Sequence, residues 1–332
     1  METDVLVGLG RLAARLRGPH ACLVDARRLS GGASLETWAF DIDAAGEPDR
    51  LILRRRAFPK VDPTGFQSVN LAGEAALLRA AAAAGAPVPP LIHLCDEADG
   101  LGEAHVTSRI DGETLGRRIV TDPAYESVRP GLARQCGEIM ARIHGAPPPP
   151  GIGLAVEDAP VVLDRYERLY RAIGPERPIL ELAFRHLRVN APDPVAPVLV
   201  HGDFRNGNLI IDPGVGVAAV LDWEMAHLGD PAEDLGWICV NSWRFGRPDR
   251  PVGGFGDYAE LMAGYEQGGG PAIPLGRVRY WQAMGSLMWA VICMRMYDSW
   301  ASGLTNSVER PMIGRRVSEA EIDLINLFEA GL

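Results

Sequence analysis

Apolar residues follow two regimes along the chain, with short and partly alternating runs up to about residue 110 and helical spacing beyond it. One early exception is the set Val5, Leu6, Leu9, Leu12 and Leu16, which marks one face of a first helix that should end near Gly18-Pro19. The runs ACLVDARRL, SLETWAFDID and RLILRRR then predict antiparallel strands, with a turn at Ala45-Gly46 between the last two. In the third run Leu51, Leu53 and Arg55 share one face, and Ile52, Arg54 and Arg56 the other. Residues 70–84 are rich in alanine and leucine, open on Asn70 and stop at Gly85, so they predict a helix with Glu74 in its first turns. Runs at 91–95 and 103–110 complete a five-stranded sheet. Helices are expected at 125–144, 161–173, 176–189, 231–240, 258–267, 275–297 and 318–330, the last opening on a capping-box pattern from Ser318 to Glu321. The two regimes divide the chain into lobes at 1–110 and 111–332.

Polar chemistry concentrates between residues 198 and 237. Three short apolar runs there, at 198–200, 209–211 and 217–221, are separated by Gly, Pro, Asp and Asn, so the polar residues sit where strands end. Asp203 and Asn208 stand in the first connecting loop, and Asp222 closes the third strand. Two carboxylates and an amide are hard oxygen ligands of the kind that Mg²⁺ bound to phosphates accepts. His-x-Asp, four residues and an Asn, then a strand ending in Asp, is the spacing of the protein-kinase catalytic loop and metal-binding Asp. On that template Asp203 orients an acceptor hydroxyl and takes its proton, while Asn208 and Asp222 hold the metal. Arg205 and Asn206 are placed to touch phosphate or acceptor, Glu224 to touch metal, water or a salt-bridge partner, and Asp234 to accept hydrogen bonds from loop amides. A rival arrangement, with His201, Asp203 and His227 as ligands of a hydrolytic metal, lacks a second ligand cluster, and His201 is better read as a brace for the loop.

The strings HGDFRNGN, VLDWE and GDPAEDLGW resemble the three linked signatures of the aminoglycoside phosphotransferase and choline kinase-like superfamily, most closely the branch found fused to acyl-CoA dehydrogenases. With the N-terminal features the resemblance covers nearly the whole chain. It implies an α+β, protein-kinase-like two-lobe fold, with a five-stranded antiparallel N-terminal lobe and a mostly helical C-terminal lobe, that moves the γ-phosphoryl group of ATP to a small-molecule hydroxyl with Mg²⁺. Arg54 matches the basic residue of the family's V/L-L-R strand, where an arginine fork can serve phosphate, and Glu74 is its helix partner. Arg55 and Arg56 compete for that role, with a solvated edge strand as the plain alternative. Ser30, Gly31 and Gly32 lie between paired strands, where glycines let amides approach phosphate oxygens, although a Gly-Gly hairpin turn reads the same way. Ser108 and Ile110 fall in the hinge, against whose backbone an adenine would sit. For the acceptor the resemblance implies a hydroxylated acyl thioester, with an aminoglycoside-type antibiotic kinase or a silent nucleotide-binding protein as alternatives.

Composition narrows these classes. A net charge of −10 disfavours nucleic acid, whose phosphates are gripped by clustered Lys and Arg. Lys60 is the single lysine, so any basic role belongs to arginine. Five scattered cysteines without a C-x-x-C pair indicate neither a disulfide framework nor a zinc site. The longest apolar run, at 281–294, is interrupted by Gln282 and Ser286 and is shorter than the roughly 20 residues that span a bilayer, so it predicts a buried helix. The acidic amino terminus lacks the charge of an export signal, and a reducing cytoplasm fits. An aminoglycoside would favour an acidic cleft, yet residues 241–332 hold ten Asp or Glu against nine Arg.

Overall fold

The structure is a computed structural model describing residues 2–29, 35–43, 48–56 and 69–331. Helix α1 (Glu2–Arg17) precedes strands β1 (Cys22–Arg28), β2 (Glu36–Asp43) and β3 (Asp49–Arg55). Helix α2 (Leu71–Ala83), β4 (Leu91–Leu94) and β5 (Ala104–Ser108) follow. The five strands form one antiparallel sheet in the order β1-β2-β3-β5-β4, as the alternation predicts. Register puts Trp38 beside Leu53 and Leu53 beside Val106. Those side chains bury one face of the sheet against Val5, Leu9, Leu12 and Ala13 of α1. Complete burial of each larger apolar side chain contributes about 1.5–3 kcal/mol. The opposite face, carrying Thr37, Ala39, Ile52, Arg54, His105 and Thr107, looks onto a cleft.

Helix α2 begins as expected, with the Asn70 side chain accepting from the Gly73 N–H and Gly85 at a φ of +81° past its end. Its buried Leu77, Leu78 and Ala81 belong to the larger apolar cluster that fills the helical region.

That region contains α3 (Gly116–Thr121), α4 (Leu132–His144), α5 (Ala159–Ile173) and α6 (Pro178–Val189). Strands β6 (Val198–Val200), β7 (Leu209–Asp212), β8 (Gly216–Val220) and β9 (His227–Gly229) follow. The chain continues through α7 (Ala232–Trp237), α8 (Tyr258–Gln267), α9 (Leu275–Ala301), α10 (Glu309–Gly314) and α11 (Val317–Glu329). β6 pairs with β9 and β7 with β8, each antiparallel. Helix α9 is buried through Trp281, Met284, Leu287 and Val291, as its sequence predicts. Among the described residues no helix is long and apolar enough to cross a membrane.

Some expectations fail for identifiable reasons. The helix expected from residue 125 starts at Leu132, because Pro123 and Pro130 each sit in the first two positions of a short 3₁₀ turn rather than continue one long helix. The capping box of the last helix does not form. α11 starts one residue earlier, with no side-chain cap, and Glu321 pairs with Arg177, whose Nε lies 2.8 Å from Oε1. The turn expected at Ala45-Gly46 lies outside the described residues.

Helices α4 and α8 approach closely enough to need glycine on both sides. A Cβ on Gly264 would collide with the Arg134 carbonyl, and one on Gly137 would collide with the Leu261 carbonyl and lie 2.6 Å from the Tyr265 nitrogen. Backbone cannot yield as a flexible side chain can. Gly264→Ala is therefore expected to cost about 1–3 kcal/mol, read as a lower urea midpoint at unchanged slope, and a midpoint equal to that of the parent would refute this contact.

Candidate active site

The loop between β6 and β7 carries the His-x-Asp motif and is fixed from beneath. Its His201 is fully buried, with ring centroids 4.7 Å from Trp223 and 5.9 Å from Phe204. The Asp203 N–H donates to His201 Nδ1 at 3.2 Å, so Nε2 carries the proton and donates to the Leu221 carbonyl at 3.1 Å. Burial holds this imidazole below its usual pKa, in keeping with a neutral ring. His201 thus ties the loop to the end of β8. Gly202 has a φ of +78°, and a Cβ there would run into the Met225 carbonyl, so only glycine fits.

Asp234 at the start of α7 lies beneath the loop. Its Oδ2 accepts from the His201 N–H at 2.8 Å and from His144 Nε2 at 3.0 Å, and its Oδ1 accepts from the Gly202 N–H at 2.9 Å. Burial opposes its charge, but these donors hold the pKa below the ordinary carboxylate value.

Asp203 and Asn208 are brought together. Asn208 Nδ2 donates to Asp203 Oδ2 at 2.6 Å and to the Asp203 carbonyl at 3.0 Å. Asp203 Oδ1 accepts from Trp237 Nε1 at 2.8 Å and from Arg205 Nε at 3.0 Å. Trp237 ends the motif GDPAEDLGW, yet nothing in its local sequence marks it as a partner of Asp203; α7 carries it there. Asn206, expected near phosphate or acceptor, instead turns inward, is fully buried and donates to the Gly253 carbonyl at 2.8 Å.

Asp222 follows β8 in a left-handed conformation, with a φ of +69° that non-glycine residues seldom adopt. Arg54 Nη2 holds its Oδ1 at 2.9 Å, and Arg54 Nη1 lies 3.7 Å from Glu74 Oε2. The three neighbouring arginines have different surroundings. Arg55 turns toward Glu36 and Arg56 pairs with Glu103, while Arg54 alone of them borders the cleft. The carbonyl of Glu224 accepts from the Val69 N–H at 2.9 Å, joining the segment before α2 to the segment after β8.

The cleft has a volume of about 490 Å³. Ala39, Ile52 and Thr107 line it from the sheet, Ile210 and Val220 from β7 and β8, and Ser108 and Ile110 from the end of β5 and just beyond it. Asn208, Asp222, Arg54 and Glu74 border the same space. His105, which pairs with Arg54 across β3 and β5, also borders it, and burial together with the Arg54 charge lowers its pKa to about 4. Strand alternation opposite Arg54 was the signal that could have found it. Ser30, Gly31 and Gly32 lie outside the described residues.

The rival metal set is not assembled. His227 Nε2 contacts Glu233 at 3.1 Å, and although burial opposes its charge that carboxylate raises its pKa to about 9. Among the described residues, the one trio of His, Cys, Asp or Glu whose ligand atoms all lie within 4.8 Å is His93, Cys95 and Asp99, in the sheet lobe.

The sequence model of the phosphotransferase enzyme family matches residues 25–270. The chain belongs to this family. Acyl-CoA dehydrogenase family member 10 of Mus musculus is 28% identical to this chain over 201 residues, covering 58% of the chain and 18% of the relative. Viomycin phosphotransferase of Streptomyces vinaceus is 31% identical over 145 residues, covering 40% and 48%. The chain thus spans less than half the length of either relative. A solved structure from Ralstonia eutropha, described as an aminoglycoside phosphotransferase, superimposes with a TM-score of 0.73 at 21% identity over 98% of both chains. The chain therefore has the two-lobe, protein-kinase-like fold that its sequence resemblance implies.

Burial pushes the Glu74 carboxyl up to about 7; Arg54 pulls it down and the Asp222 and Glu224 carboxylates add to the rise. Between about pH 4.5 and pH 7 the folded protein then binds the Glu74 proton more tightly than the unfolded chain does. Stability should fall as pH rises through that window, by roughly 3 kcal/mol from this group, with the whole loss reached above about pH 7.5. Glu74→Gln should remove that part of the slope in urea midpoints measured against pH; an identical slope in the variant would show that Glu74 does not titrate there.

Proposed function

We propose that this phosphotransferase moves the γ-phosphoryl group of ATP to a hydroxyl of a small molecule, with residues 1–110 as the nucleotide-binding lobe and 111–332 as the catalytic and acceptor lobe. The observation that carries the reading is the 2.6 Å bond between Asn208 and Asp203, beside a cleft that Asn208 shares with Asp222 and Arg54. In this reading Asp203 orients the acceptor hydroxyl and takes its proton. Three donors on its carboxylate, Trp237, Arg205 and Asn208, fix where that happens. Ser108 and Ile110 receive the base, Arg54 serves the phosphates with Glu74 behind it, and Ser30, Gly31 and Gly32, outside the described residues, are assigned to phosphate binding.

The donor set fits Mg²⁺. With Asn208 Nδ2 committed to Asp203 and Asp222 Oδ1 to Arg54, Asn208 Oδ1 and Asp222 Oδ2 remain as two hard oxygen donors in the same cleft. Asn208 and Asp222 would hold the ion, which would supply neutralisation of the triphosphate charge.

For the acceptor we favour a hydroxylated acyl thioester over an aminoglycoside. Relatives named as acyl-CoA dehydrogenase family members support it. So does the neighbourhood of Asp203, where the Arg205 guanidinium stacks 4.4 Å from the Trp243 ring centroid and the Trp237 and Trp243 rings lie 5.3 Å apart. A cation braced on buried indoles beside Asp203 suits an anionic acceptor, whereas a polycation would meet Arg205 unfavourably. Five free thiols are in keeping with a reducing cytoplasm.

ATP with Mg²⁺ should raise the melting temperature, and a panel of hydroxyacyl-CoA thioesters and aminoglycosides should show ADP release with the thioesters. Asp203→Asn keeps the shape that Trp237 and Asn208 contact, and should lower turnover about 10²- to 10⁴-fold while leaving the ATP-induced stabilisation in place. Undiminished turnover in this variant would overturn the role of Asp203, and release with aminoglycosides alone would overturn the acceptor class.

A further inference from the structure

Behind the catalytic loop, on the side away from the cleft, a chain of buried polar groups has no part in the reading above. His144, the last residue of α4, is buried together with Asp234. Its Nε2 lies 3.0 Å from Asp234 Oδ2, and its Nδ1 lies 2.9 Å from the Tyr265 hydroxyl of α8. Because the ionised Asp234 can only accept, Nε2 carries a proton, and in a neutral ring Nδ1 accepts from the Tyr265 O–H. With the ring neutral the chain runs one way: Tyr265 donates to His144, His144 to Asp234, and Asp234 receives the amides of His201 and Gly202. Gly202 is the residue before Asp203. His144 and Tyr265 also line a second cavity of about 490 Å³, whose other walls include Ala141, Val198, Ile273 and Arg277.

We infer that His144 is a positioning residue for phosphoryl transfer, acting through Asp234 on the amides that place Asp203, and that the cavity it lines makes this position reachable by a small heterocycle. The inference rests on the phosphotransferase reading for its activity arm only. Without the imidazole, Asp234 keeps two backbone donors and loses one of the three that fix its rotation. The carboxylate is then freer to turn, and the constraint on the Gly202 segment slackens. The nucleotide cleft is lined by other residues, so the loss falls on turnover rather than on nucleotide affinity.

His144→Ala should lower kcat about 10- to 100-fold, the range typical of removing a group that orients a reacting side chain through an intermediary, with KM for ATP changed less than about twofold. Imidazole added at tens of millimolar should restore much of that loss, because the space left by the ring opens onto the cavity. His144→Gln, which can donate and accept through one amide, should retain more activity than the alanine variant, and Tyr265→Phe should lose less than either. Independently of turnover, exchange of the His201 and Gly202 amides with deuterium should accelerate about tenfold or more in His144→Ala, while amides of the five-stranded sheet keep their parental rates.

Parental kcat together with parental amide exchange in His144→Ala would overturn the inference. So would a loss that imidazole leaves untouched and that His144→Gln shares in full. Should His144→Ala fail to fold, His144→Gln and Tyr265→Phe carry the same comparison. A parent protein that transfers phosphate to no acceptor would count against the proposed function, and the amide-exchange arm would still decide the role of His144.

Discussion

The buried carboxylate of Asp234 is the constraint on which the site depends. A charge taken out of water is costly unless hydrogen bonds replace its hydration, and Asp234 meets that demand with two loop amides and an imidazole. The same bonds that make the charge tolerable dictate where His201 and Gly202 must lie. From there the geometry propagates outward, through the backbone of Gly202 to Asp203 and through the side chain of Asn208 to the edge of the cleft. His201 adds a second tether to the end of β8, so the loop and the strand bearing Asp222 are fixed relative to each other.

The sheet contributes by having two unlike faces. One is buried against α1 through Trp38, Phe40, Leu51 and Leu53, and this gives the lobe its own apolar core. The other is left mostly small or polar, with Thr37, Ala39, Thr107 and His105 around Arg54, and is the upper wall of the cleft. Arg54 crosses the gap to Asp222 and so couples the sheet to the helical region.

Much of this was legible in the sequence. Period-two alternation gave the strand faces, and with them the cleft side of Arg54, because pleating leaves little choice once one face is apolar. Spacing singled out Asp203, Asn208 and Asp222, and the structure joins Asp203 to Asn208 and sets Asn208 and Asp222 on one cleft. Spacing could not tell which neighbouring loop residues turn outward: Arg205 reaches Asp203, whereas Asn206 points into the protein toward Gly253. Trp237 and His144 were illegible for a related reason. Each reaches its partner across more than thirty residues, so its role exists only once helices have packed. The capping box at Ser318 misled because Glu321 had a better partner, a guanidinium from the segment before α6, and a local pattern cannot reveal a distant competitor.

The close approach of α4 and α8 has a consequence beyond packing. α4 ends in His144 and α8 contains Tyr265, so the separation set by Gly137 and Gly264 also sets the reach of the hydroxyl to the imidazole. The two helices act as a spacer whose thickness is measured in single methyl groups. Sequence drift at these two bare positions, remote from any nucleotide, would thus be transmitted to the reacting groups as a change in alignment, and that face of the molecule has less freedom to vary than its distance from the chemistry suggests.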